Sequence, residues 1–163
     1  MKKLPALLIL FLFVLSCGLS MAAVAPATAQ MVGGRQTSVV AGLKIMKISK
    51  NQDRIRIMNA AVERKSIVLR QKINTLRKAP GGIKPEKIVL LKESTQFLAE
   101  NQKRFAAGQV LYGRKVDAIR ANKRAGNHQA ALAGLDDILA VQQEQISNLR
   151  AISTCLDRLI LLL

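Results

Sequence analysis

Apolar residues return at every seventh position through Ile48, Ile55, Val62, Leu69 and Leu76, and the series stops at Ala79-Pro80-Gly81-Gly82. Seven residues bring a side chain back to nearly the same side of an α-helix, so this spacing demands a long helix with one stripe to bury. Met58 and Ile73 fall beside the stripe. A second series runs through Leu91, Leu98, Phe105, Tyr112 and Ile119, with Ile88 and Val116 in support. A third comprises Leu135, Leu139, Ile146, Leu149, Leu156, Ile160 and Leu163, interrupted by Gln142 and Ser153.

The breaks between the series have mechanical causes. Pro80 cannot continue a helix, Gly81 and Gly82 accept turn angles, and Pro85 suits the first turn of the next helix. Gly126 reads as the residue just past a helix end and Asn127 as the N-cap of the following one. Helices are therefore expected over about 37–78, 85–124 and 128–162, forming one helical domain. The expected fold is all-α, an elongated antiparallel three-helix bundle or coiled coil.

Two stretches strain this pattern. LKIMKI and RIRIM, within residues 42–58, alternate in a way that also fits a short hairpin, but an isolated hairpin is marginal and the heptad continues in register, which favours helix. Ser49 and Gln52 fit a capping box at which a helix would restart. The middle of the second helix carries Gln102, Gln109 and Gly108 at companion positions and is expected to bend or pack loosely. Ile57, Ile67 and Val68 lie off the main seam and are candidates for a second contact surface.

The N-terminus has its own logic. Met1-Lys2-Lys3 precedes the uncharged run LPALLILFLFVLSC, and small residues stand at Ala27 and Ala29. These are the parts of a secretory signal peptide, with cleavage expected after Ala29 and a flexible leader over 30–36. Two alternatives use the same residues: the uncharged stretch from Leu4 to Ala25 retained as a membrane anchor, or Val14-Leu15-Ser16-Cys17 read as a partial lipobox with Cys17 acylated. The expected location is outside the cytoplasm, periplasmic or extracellular. After cleavage Cys155 is the one remaining cysteine, so no internal disulfide supports the bundle and Cys155 is expected to pack as a small apolar residue.

Charge is distributed unevenly. From Arg35 to Arg124 there are 22 Lys and Arg against six Asp and Glu, whereas from Gly126 to Leu163 there are two against four. Arg54, Lys65, Lys72, Arg70 and Arg77 flank the first seam, with Arg64 and Lys78 on its back. The second helix adds Lys103, Arg104, Arg114, Lys115, Arg120, Lys123 and Arg124. This distribution is a sheath rather than one reading face, which disfavours nucleic acid. Its expected partners are anionic components of a cell envelope: an acidic protein, a lipid surface or a polymer. Homo-oligomers and membrane association are compatible with so thin a bundle.

Chemistry-bearing residues are sparse. His128 stands alone, Asp136 and Asp137 are neighbours that project about 100° apart on a helix, and no Gly-Lys-Ser/Thr follows the glycine pair. No catalytic residue, cofactor or metal site is assigned, and a non-enzymatic binding role, chaperone-like or adaptor-like, is expected. Alternatives are an assembly component of a secretion or conjugation apparatus and a membrane-anchored coiled-coil protein. In size, export signal and charge the chain is similar to small basic periplasmic chaperones, a likeness of composition that carries no function over.

Overall fold

The computed structural model describes residues 35–79 and 83–163. The signal peptide, its alternatives at Leu4 to Ala25 and Cys17, and most of the leader lie outside the described residues. Three helices account for nearly all of the described chain: α1 (Arg35–Lys78), α2 (Pro85–Arg124) and α3 (His128–Leu162). No strand occurs among the described residues. Residues 42–58 are helical, and α1 passes through Ser49 and Gln52 without restarting.

The turn between α2 and α3 follows from one glycine. Gly126 takes a positive φ of 74°, a conformation that glycine adopts without Cβ conflict. There the Asn127 amide donates to the Asn122 carbonyl at 2.8 Å and the Gly126 amide to the Lys123 carbonyl at 2.9 Å. This pair of bonds is a Schellman motif, which satisfies carbonyls that a helix end otherwise leaves open. The Asn127 carbonyl then accepts from the Ala131 amide at 3.0 Å and starts α3. At the other break Pro85 opens α2, and the Lys84 carbonyl accepts from the Ile88 amide at 3.2 Å.

The contacts divide the described helices between two compact units. One holds residues 57–104 with 148–163. Its core is built from Val62, Leu69, Ile73, Leu91, Leu98, Leu149, Leu156 and Leu159. Lys65 Nζ reaches Ser153 Oγ at 2.7 Å, and Lys72 Nζ reaches the Ile160 carbonyl at 2.7 Å, so α1 and α3 run in the same direction here. Cys155 is buried, its thiol facing the Ser94 carbonyl at 3.7 Å. Burial pushes the thiol pKa up, with the Ser94 contact and the Arg158 charge pulling the other way.

The other unit holds residues 35–56 with 105–147 among those described. Ala41, Ile48, Leu135 and Ile138 form its buried cluster, and Ile45, Tyr112, Val116 and Ile119 pack against it. Lys44 pairs with Asp136 while Gln142 Nε2 donates to the Ile48 carbonyl, which again sets α1 parallel to α3. Lys115 pairs with Asp137, and a Cβ at Gly108 would lie 3.1 Å from Gln145 Cγ, so α2 runs opposite to α3. Gly108 is therefore a point of close helix approach within an unbroken α2. Its companions Gln102 and Gln109 are half-buried.

The apolar stripes are interrupted by polar residues inside both units. Asn59, Ser66, Asn101 and Asn148 are buried in the first, and Gln142 and Gln145 in the second. Ser66 Oγ donates to the Val62 carbonyl at 2.8 Å, and Asn101 Nδ2 to the Phe97 carbonyl at 2.9 Å, both one turn back along their own helices. Local bonds of this kind lower the cost of burying a polar side chain. Asn59 Oδ1, Gln142 Oε1 and Asn148 Nδ2 have no partner among the described residues.

Candidate anion-binding surface

The acidic residues of α3 explain what the uneven charge does inside the protein. Asp136 accepts from Lys44 at 2.6 Å, Asp137 from Lys115 at 2.7 Å, and Asp157 from Lys65 at 2.6 Å. Asp136 and Asp137 are consecutive, and their divergence on the helix sends one to α1 and the other to α2. All three carboxylates are more than half exposed, so each pair contributes only about 0.2–1 kcal/mol. Their main consequence is selection: they take particular lysines out of the surface coat.

The basic residues expected at a contact surface therefore separate into two groups. Lys65, Lys72 and Lys115 are engaged with α3. Lys72 meets a carbonyl in the last turn of α3, where the helix dipole favours a cation. Arg64 Nε donates to the Ala60 carbonyl one turn back on α1, at 3.2 Å, and Arg120 pairs with Asp117 at 3.3 Å. Arg70 and Lys123 also engage neighbours.

The second group is exposed. On α1 it comprises Arg54, Arg77 and Lys78, and on α2 Lys103, Arg104, Arg114 and Arg124. None of these makes an ion pair or hydrogen bond among the described residues. Lys47 and Lys50 belong with them, exposed on α1 and likewise unpaired. Helical projection alone would have included both, because they lie on the side of α1 away from its buried stripe.

The arrangement presents exposed cations along helical surfaces in both units. Among the described residues no group of three or more His, Cys, Asp or Glu converges to hold a metal ion. His128 is exposed at the start of α3. No described helix is long and apolar enough to cross a membrane. Apolar side chains are also left on the surface, including Ile57, Ile67 and Val68 on the second half of α1 and Val39, Leu43 and Met46 on its first half.

Protein-family models, curated proteins and solved structures give no match to the chain.

Proposed function

We propose that this is a non-enzymatic, exported helical protein of the cell envelope whose basic coat on α1 and α2 binds anionic partners. One observation carries the reading: the acids of α3 neutralise selected inward-flanking lysines, while outward residues such as Arg54, Lys103, Arg104 and Arg114 keep unpaired charge. A high net charge held on a folded surface gathers anions without a dedicated pocket, and exposed cations exchange counterions readily. Export follows from the N-terminal pattern of Lys2, Lys3, the apolar run and Ala27-Thr28-Ala29.

Binding to polyglutamate, titrated between low and high salt, tests the coat. The expected result is micromolar or tighter association that weakens steeply as ionic strength rises, since charges at the surface are screened within about 10 Å at 0.1 M salt. Absent or salt-insensitive binding overturns the reading. Mass spectrometry of the N-terminus recovered from envelope fractions tests export separately, with a start at Gln30 expected.

A second reading, an assembly component, draws on the exposed Ile57, Ile67 and Val68. Light scattering that shows a concentration-dependent oligomer abolished by Ile57→Lys supports that role over the first.

A further inference from the structure

Val39, Leu43 and Met46 occupy one line along the outside of α1 at intervals of four and three residues, and they are 63 %, 57 % and 64 % exposed. Ala41, Ile45 and Ile48 on the opposite side of the same helix supply its packing against α2 and α3. Lys50 continues the exposed line, and Lys47 and Arg54 lie together along one edge of it at about 100° per residue. All three cations are exposed and make no pair among the described residues, whereas Lys44, nearer the seam, is taken by Asp136. The one acid on this half of α1, Asp53, pairs with Arg56 at 3.4 Å.

We propose that this ridge is an interfacial docking surface for a bilayer rich in anionic lipids, lying on the membrane with Val39, Leu43 and Met46 in the boundary region. The inference rests on the preceding reading of an anion-binding coat and names its partner at this half of α1. Shape decides between occupants. Two helical turns present about 300 Å² of apolar surface, short of the roughly 500 Å² per partner that a specific protein interface requires. A flat surface needs no groove and meets the ridge and its flanking cations at the same time. Insertion of an apolar helix face to a depth of about 5–10 Å, with lysines reaching back to the head groups, is the usual geometry of such contacts. A second copy of the chain would bring Lys47, Lys50 and Arg54 against like charges, which disfavours that occupant.

The chain has no Trp, so one introduced Trp reports alone. Full-length Met46→Trp and, as an internal control, Val110→Trp on the exposed side of α2 are mixed with phosphatidylglycerol vesicles whose acyl chains carry bromine. Val110 is 58 % exposed, so both sites tolerate the larger side chain in water. The expected result is a blue shift and quenching at position 46, neither at position 110, and reversal by high salt. At about 1 kcal/mol per charge, Lys47→Gln with Lys50→Gln and Arg54→Gln weakens the quenching isotherm about 100-fold. Vesicle binding with Trp at position 46 still in water overturns the ridge and leaves the coat intact, as does binding to polyglutamate without binding to vesicles. Absence of salt-sensitive binding to either probe overturns both. A concentration-dependent blue shift at position 46 without vesicles overturns the lipid assignment in favour of a second copy.

Discussion

Gln142 is fully enclosed, with Nε2 donating to the Ile48 carbonyl at 3.1 Å and Oε1 facing no donor among the described residues. Replacing it by Leu removes one hydrogen bond, a loss of about 1 kcal/mol, and also removes a buried acceptor whose desolvation costs about 1–3 kcal/mol. The Ile48 carbonyl is not stranded, because it lies inside the continuous α1 and keeps its own helical amide. Leu fills nearly the same volume with apolar atoms, so the balance is a gain of about 1–2 kcal/mol. For a chain of this size that raises Tm by roughly 3–8 °C. Urea unfolding followed by circular dichroism measures it, with an unchanged m-value as the condition that the unfolded ensemble is unaltered. Gln142→Ala is the companion variant: it makes the same polar deletion but leaves a void, and it is expected to destabilise by about 2–4 kcal/mol. A Leu variant less stable than the parent by 1 kcal/mol or more refutes the reasoning, since Oε1 would then have a partner worth more than its burial costs.

Three further outcomes follow from contacts. At Gly134 an added Cβ would sit 2.5 Å from Ile119 Cγ1, whereas at Gly113 it would meet nothing within 4 Å. Gly134→Ala is thus expected to lose about 1 kcal/mol despite better helix propensity, and Gly113→Ala to gain about 0.5–1 kcal/mol, read as shifts of opposite sign in the urea midpoint. Burial raises the pKa of the Tyr112 hydroxyl, opposed by Arg120, and that of the Cys155 thiol. The unfolded chain releases both protons first, so stability held below their unfolded values, about 8.5 for Cys and 10 for Tyr, declines as pH rises from there through the raised folded values. Tyr112→Phe with Cys155→Ala should flatten that alkaline slope, and an unchanged slope counts against the burial argument. A double-mutant cycle on Lys65 and Asp157 should return a coupling of about 0.5 kcal/mol that shrinks in 1 M salt; a coupling above 2 kcal/mol would mean that the pair is shielded far more than its exposure indicates.

Helix number and ends were legible in advance because their signals are local. A seven-residue apolar interval is a property of one turn stacked on the next, and Gly126 ends α2 through its own backbone angle. The observed helices begin or end within two residues of the expected bounds. Residues 42–58 followed the heptad rather than the short alternation, since the hairpin would have buried nothing that the helix does not. At Gly108 helix propensity and packing pull in different directions. Propensity registers a missing side chain as a weakness, whereas in the fold that absence admits Gln145.

The candidate surface was legible only in outline. Charge counts placed the cations on the first two helices and left the third nearly neutral. Which cations stay free depends on pairings such as Lys44 with Asp136 and Lys65 with Asp157, each spanning 92 positions. Composition and periodicity describe how a helix presents its sides, and that much needs no neighbour. Parallel running of α1 and α3, the partner of Gln142 and the division between engaged and unengaged lysines require knowing which sides meet. Those facts arise when separate segments pack, because an ion pair or a steric contact acts over a few Å in space whatever the separation along the chain.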